Sequence, residues 1–357
     1  MELLNKTLQS IEGLNDSAMK EARERLDNLL KPPGSLGVLE EVAEQMAGIT
    51  GQPRPTVGGK SVIVMAGDHG VVEEGVSVAP QEITRQMLPA FIRGFAGIGV
   101  LARQAGAKVV VVDVGVAGGP VDIPGVVSRK VRPGTGNIAR EPAMTREEAV
   151  QAVEVGIEMV MAEVGQGATI IATGDMGIGN TTPSSAILAA FGNYSAKEVT
   201  GRGTLVNDDV MAKKTAAIAT ALQINKPDSA DGLDVLSKIG GLEIAGLTGV
   251  ILGAAASRVP VIIDGFISTA AGVVAAAIKP ECKEYMIASH LSAESGHKLM
   301  LEYLGLKPML HMNMRLGEGT GAVLSMNLVD AGCRILNEMA TFAEANVMDL
   351  EEDRILK

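Results

Sequence analysis

Along most of the chain, short apolar runs rich in β-branched residues alternate with longer stretches of helical character. The short runs are Ser61–Ala66, Lys108–Val112, Ala168–Thr173, Val259–Ile263, Glu284–Ala288 and Pro308–Met314. Strands buried on both faces read as continuous apolar runs rather than as strict alternation. Strands that alternate with helices indicate a parallel sheet, so the pattern predicts an α/β fold with six strands. Two charge-free stretches, Ile244–Ser257 and Gly265–Ile278, are rich in Gly and Ala and shorter than a bilayer crossing, which predicts buried helices. Residues 17–31 are amphipathic and charged, and Pro32-Pro33-Gly34 stops that helix. From Asn346 onward the chain turns acidic and loses its pattern, as a frayed tail would.

The strand endings carry further information. The runs lead into Gly67-Asp68-His69-Gly70, Asp113-Val114-Gly115, Gly174-Asp175-Met176-Gly177, Asp264-Gly265, Ser289-His290 and Arg315-Leu316-Gly317-Glu318-Gly319. In open α/β sheets ligands sit beyond the carboxyl ends of the strands. The expectation is that Asp68, Asp113, Asp175, Asp264, His290 and Glu318 reach one edge. Any single Asp there has a plainer role as the cap of the next helix; six such endings together point to a site.

Composition narrows the choices. With 357 residues the chain is long enough for one large α/β domain or two unequal ones. Hydrophobic residues make up 46% and charged residues 20%, as in a well-buried globular core. Aromatics are only 2%, with no Trp, which leaves few stacking platforms for sugars or single-stranded nucleic acid. The net charge of −11 and the lack of any Lys/Arg run speak against duplex binding, although isolated cations can still hold a small phosphate. Cys282 and Cys333 are far apart and form neither a disulfide framework nor a zinc cluster, so a reducing compartment is expected. The amino terminus has no basic-then-apolar signal pattern. These features together predict a soluble cytoplasmic protein without membrane or nucleic-acid partners.

The sharpest motif is Gly174-Asp175-Met176-Gly177-Ile178-Gly179-Asn180-Thr181-Thr182-Pro183. It comes after a strand and opens a helix, with Thr182 expected as N-cap and Pro183 at the first helical position. Exposed amides at a helix start favour a phosphate or carboxylate. The spacing Gly174-x4-Gly179 resembles a P-loop, but Asn180 stands where that loop needs Lys, so a monophosphate cradle fits better. The plainer alternative is a structural glycine turn. In Arg315–Ala322, flanking glycines leave Glu318 free to project into a cleft, where partial desolvation would raise its pKa and suit it as a general base. Otherwise it stabilises the next helix through the dipole. Gly201-Arg202-Gly203-Thr204 with Lys213 and Lys214 offers amides and cations for a phosphate, or simply a solvated helix start. His69, His290, His297 and His311 lack metal-site spacing, and no GxSxG elbow or other nucleophile stands out. The residues alone describe an α/β enzyme that holds a small phosphorylated substrate and uses an acid as base.

Lys31–Gly37, Gly67–Val71, Val112–Gly115, Gly177–Pro183, Asp264-Gly265-Phe266, Ser289-His290 and Arg315–Ala322 occur in this order. As a set, over about residues 17–345, they closely resemble the nicotinate-nucleotide:dimethylbenzimidazole phosphoribosyltransferases. The resemblance implies a Rossmann-like parallel sheet in a large domain (59–324) and a small helical domain made from both chain ends (1–58 and 325–357). It implies a dimer with an identical or paralogous subunit and sites near the interface. The implied reaction moves phosphoribose from nicotinate mononucleotide to an aromatic base, releases nicotinate and gives an α-ribotide for a cobamide, with no cofactor or metal. Glu318 matches the general base, and Asp264 an active-site acid. Lys214 and the turn with Gly177, Gly179, Asn180 and Thr181 match phosphate and donor binding, and Gly203, Ser292, Leu316 and Gly317 further substrate contacts. Asp175 falls where well-known members carry Glu.

The acceptor pocket departs from some benzimidazole-using members, which place Ser before the equivalent of Pro80 and Gln three residues after that of Thr84. Ala79 and Met87 stand there instead, which makes the pocket more apolar and suggests phenol or cresol as acceptor. Two other readings exist. A non-catalytic partner of an active homologue would have no need of Glu318 or of both glycine turns. A P-loop-like NTPase or kinase would need Lys at position 180.

Overall fold

A computed structural model of the chain describes residues 1–201 and 208–348. Three helices come first: α1 (Glu2–Ser10), α2 (Asp16–Asn28) and α3 (Val38–Thr50). Strand β1 (Gly59–Gly67) is followed by α4 (Glu82–Ile92) and α5 (Gly97–Ala105), and then by β2 (Ala107–Gly115) and β3 (Val126–Ser128). The long α6 (Arg146–Gly165) leads into β4 (Ala168–Met176). Five helices come next: α7 (Thr181–Gly192), α8 (Ala196–Val199), α9 (Asp208–Asn225), α10 (Gly232–Ile239) and α11 (Leu242–Ala256). The chain continues through β5 (Val261–Ile263), α12 (Phe266–Ile278), β6 (Met286–Ala288), α13 (His297–Leu304), α14 (Thr320–Glu338) and α15 (Phe342–Ala345).

All strand pairs are parallel, in the order β3-β2-β1-β4-β5-β6. The chain winds outward from β1 through β2 to β3, then returns to β4 and winds the other way. The strand order therefore reverses between β1 and β4, the kind of switch point that opens a crevice for ligands. The expected Rossmann-like sheet is present, with five of its strands inside or beside the predicted runs.

Two strand expectations need correction. Pro308–Met314 is not a strand: it makes one parallel bridge, Leu310 to His290, and His311, Met312 and Asn313 are exposed. Among the described residues that run pairs only with the end of β6 and the segment after it, and it leaves the sheet to become the loop that carries Glu318. The sixth strand is instead β3, a three-residue edge element pairing Val126–Ser128 with Val111–Asp113. It is too short to produce a pattern in the sequence.

Successive strand residues point to opposite faces, and the core divides accordingly. Ile63, Met65, Val112 and Ile171 face α6, α11 and α12, whereas Val62, Val64, Val111, Ile170 and Ala172 face the side of α5 and α14. The runs predicted as buried helices are α11 and α12, and α11 is buried on every side from Leu242 to Ala255. It packs closely on α6 because glycines line the crossing. A Cβ added at Gly156 would lie 1.9 Å from the Gly246 carbonyl oxygen, and one at Gly249 would lie 1.9 Å from that of Val153.

A third apolar cluster joins the two chain ends: Ala18, Ala22, Leu26 and Leu29 meet Ala43, Ala47 and Leu336. Asn15 caps α2, its side chain accepting from Ala18 N at 2.9 Å. Arg25 donates to the Leu336 and Met339 carbonyls at the end of α14, at 2.8 and 3.1 Å. Among the described residues no helix is long and apolar enough to cross a membrane.

Candidate active site

A cleft of about 330 Å³ opens beyond the carboxyl ends of β4, β5 and β6. Its walls are the Val76–Ala79 loop with Ile83 and Met87 of α4, the Asp175–Thr181 turn, the start of α12, the segment after β6, and Arg315–Glu318.

The turn after β4 is shaped by close approach. A Cβ on Gly177 would sit 2.3 Å from the Gly67 carbonyl oxygen, so the chain can pass over the end of β1 only with glycine there. Gly179 has φ +90°, a conformation that favours glycine. Thr84 accepts from Ile178 N at 3.1 Å, and Asn180 Nδ2 donates to Asp175 Oδ2 at 3.0 Å. Helix α7 starts at Thr181 with Asn180 before it and no side-chain cap, so Thr182 is not the N-cap and Pro183 is the third helical residue. Pro183 still sits in the first turn, where a missing N–H costs no helical bond. Behind the turn, Lys214 of α9 donates to Thr181 Oγ1 at 2.7 Å and to the Gly201 carbonyl at 3.2 Å. Burial lowers its pKa to about 8, and Glu294 opposes that shift.

On the far wall, Gly317, Glu318 and Gly319 all have positive φ, at 83°, 63° and 94°. This turn lies directly on β4, since a Cβ at Gly174 would be 2.5 Å from the Glu318 carbonyl oxygen. Glu318 Oε2 accepts from Ile98 N at 2.9 Å, in the first turn of α5. Glu318 thus does stabilise a helix start, but that of α5 rather than of the helix directly after it. Burial raises the Glu318 pKa, the nearby Asp264 carboxylate adds to the rise, and the Ile98 and Gly97 amides oppose it. Asp175, the penultimate residue of β4, is pushed well above the usual carboxylate range, first by burial and then by Asp264 and Glu243. Deeper still, His69 and Glu243 pair at 2.8 Å; burial alone would lower the His69 pKa, and Glu243 raises it.

A family model described as phosphoribosyltransferase matches residues 11–347. The nicotinate-nucleotide–dimethylbenzimidazole phosphoribosyltransferase of Desulforamulus reducens is 56% identical over 348 residues, 97% of this chain and 99% of that relative. The enzyme of the same name from Citrifermentans bemidjiense is 53% identical, again over 97% and 99%. The chain belongs to this phosphoribosyltransferase family. The solved phosphoribosyltransferase of Thermus thermophilus superposes with a TM-score of 0.89 at 45% identity, covering 94% of this chain and all of that one.

Most positions that the phosphoribosyltransferase resemblance singled out meet in the cleft: Asp175, Gly177, Gly179, Asn180, Thr181, Ser292, Leu316, Gly317 and Glu318, with Ala79 and Met87 on the α4 side. Several do not. Asp264 lies behind the wall, where Oδ2 accepts from Gly319 N at 3.2 Å and Oδ1 from Ala322 N at 2.9 Å, fixing the start of α14. Lys214 is not on the cleft wall; it reaches the cleft through its hydrogen bond to Thr181, and Glu294 of the wall acts on it electrostatically. Pro80 is not on the wall; its carbonyl accepts from Ile83 N at the start of α4. Gly203 lies outside the described residues, as do its neighbours Arg202 and Thr204 and the chain from 349 onward. Asp68 and Asp113 also leave the cleft. Asp68 accepts from Ala117 N at 2.8 Å and Asp113 from Val116 N at 2.9 Å, so both brace the loop after β2. Phe266, Glu294 and Arg315 line the cleft without a role expected from the sequence. Phe266 comes directly after the Asp264-Gly265 strand ending, which was the available signal.

Proposed function

We propose that the enzyme moves phosphoribose from nicotinate mononucleotide to an aromatic base and releases nicotinate, giving an α-ribotide used as the lower-ligand nucleotide of a cobamide. The observation that carries this reading is the pairing, across one cleft, of a glycine turn backed by Lys214 with a buried glutamate, Glu318. The 5′-phosphate is held at the Gly177–Thr181 turn, where amides at the start of α7 favour an anion. Lys214 donates to Thr181 Oγ1, which leaves the hydroxyl's own hydrogen available to the phosphate.

The pyridinium is a good leaving group: it departs with the C1′–N bonding pair and becomes neutral nicotinate nitrogen. The acceptor attacks C1′ from the opposite face, and Glu318 takes the proton the acceptor loses. A base that is partly desolvated but held in place by the Ile98 amide suits that transfer. Ala79, Met87, Val78 and Ile83 give the acceptor side an apolar character, which supports phenol or p-cresol alongside dimethylbenzimidazole.

The exposed Phe95 (75%) and Leu316 (60%) support a dimer with an identical or paralogous partner near the cleft mouth. The cluster of α2, α3 and α14 supports reading residues 1–58 and 325–357 as a small helical domain. A cytoplasmic location fits the two free, buried cysteines.

The test is mass analysis of the products made from nicotinate mononucleotide and an equimolar pool of dimethylbenzimidazole, phenol and p-cresol. The expected result is nicotinate release with at least one ribotide. Glu318→Gln is expected to lower kcat by about 10²- to 10⁴-fold. Wild-type turnover by that variant overturns the role of Glu318, and exclusive formation of the benzimidazole product rejects the phenolic reading.

A further inference from the structure

His290 opens the segment after β6, is only 3% exposed, and lies on the cleft wall. Its ring is locked. A Cβ added at Gly321 would fall 2.0 Å from Nδ1 and 2.5 Å from Cε1, so the imidazole packs directly on the first turn of α14. Nδ1 is 3.0 Å from Ser289 Oγ, and Ser289 Oγ donates to the Asp264 carbonyl at 3.1 Å. A hydroxyl has one hydrogen. With that hydrogen on Asp264, Ser289 Oγ must accept from His290, which puts the ring proton on Nδ1.

When the ring carries only that proton, its lone pair is at Nε2. Nε2 has no hydrogen-bond partner among the described residues, and it lies beside Gly265 on the cleft wall, 3.7 Å from where a Cβ on that glycine would be. The other buried imidazole nearby is different. His297 accepts from Ser292 N through Nδ1 at 2.8 Å and pairs with Thr269 Oγ1 through Nε2 at 2.8 Å, so both of its nitrogens are used. Nε2 therefore opens onto the cleft, where a bound substrate can supply the hydrogen that the protein does not.

We propose that His290 Nε2 accepts a hydrogen bond from a ribose hydroxyl of the bound nucleotide. This rests on the nicotinate mononucleotide reading above. The phosphate and carboxylate of that donor are themselves acceptors, so its 2′- and 3′-hydroxyls are the groups with a hydrogen to give. His290 is thereby a further substrate-binding residue, one that orients the ribose whose C1′ reacts.

The test compares kcat/KM for nicotinate mononucleotide with that for its 2′-deoxy and 3′-deoxy analogues. The unmodified enzyme is expected to disfavour one analogue by about tenfold or more, the scale of one hydrogen bond to a buried group. In His290→Asn, which keeps an amide donor toward Ser289 but has no acceptor at the Nε2 position, that preference is expected to shrink to within about twofold. His290→Gln, whose carbonyl can reach further, is expected to restore part of it. A merely structural role would lower all three rates together and leave their ratio unchanged. Retention of the wild-type ratio in His290→Asn overturns the proposal. If that variant does not fold, equal turnover of all three nucleotides by the unmodified enzyme overturns it as well. Absence of nicotinate release by the unmodified enzyme sinks the donor assignment, and this inference with it; release that depends on neither hydroxyl sinks this inference alone.

Discussion

Lys214 combines burial with a charge that the proposed reaction needs. Its pKa of about 8 means that the folded free enzyme loses this proton well before an ordinary lysine would. Below pH 8 the charged form is present and its desolvation opposes folding. Between about pH 8 and the ordinary lysine range the unfolded chain holds more protons than the native one, so this group's contribution to stability improves as pH rises. Under the proposed function, phosphate binding runs the other way, because it requires the charge. We expect kcat/KM for the nucleotide to fall above about pH 8, with kcat at saturating donor holding to higher pH because bound phosphate retains the proton. Lys214→Arg is expected to remove the alkaline inflection, and Lys214→Met to lower kcat/KM by about 10- to 100-fold, the worth of a hydrogen bond to a charged group. A pH–rate series on the three proteins checks this. On the acid side, burial raises the Glu318 pKa, so the same series is expected to lose activity below a pH above the ordinary glutamate range.

Close contact between elements is encoded by glycine, and the crossing of α6 and α11 is the clearest case. Gly249→Ala would force its methyl group to 1.9 Å from the Val153 carbonyl oxygen, so the two helices would have to separate. We expect a loss of about 1–3 kcal/mol, read as a lower Tm in thermal unfolding. Gly165, also in α6, has nothing within 4 Å of an added Cβ. Gly165→Ala is therefore expected to be neutral or stabilising by up to about 1 kcal/mol. Legibility at this scale tracked pattern length. The nine-residue strands β1, β2 and β4 and the buried helices α11 and α12 stood out, because each carries enough consecutive apolar positions to exceed chance. Three-residue β3 did not, and the apolar run at 308–314 misled because apolar residues in a cleft-side loop look like a strand until the single bridge is seen.

For the molecule as a whole, the chain's two ends are held by one apolar cluster, and α14 runs from that cluster to the turn that bears Glu318. Leu336 is fully buried there. Leu336→Ala is expected to cost about 2–5 kcal/mol, measured by denaturant unfolding. A cost under about 1 kcal/mol would mean the cluster tolerates the cavity and does not anchor α14. By itself the sequence determined the parallel α/β architecture, the family, the glycine turn at 174–179 and the candidacy of Glu318. These are local properties: apolar runs, turn residues and motif order read directly from neighbours along the chain. Only the tertiary structure decided which acids face the cleft. Asp175 and Glu318 do, whereas Asp264, Asp68 and Asp113 turn to backbone amides. Only the fold, likewise, brought Glu318 to the start of α5 and turned Nε2 of His290 to the cleft with no hydrogen-bond partner among the described residues. A strand ending dictates where its acid emerges, but where that side chain points depends on amides and helices supplied by residues far away in the chain.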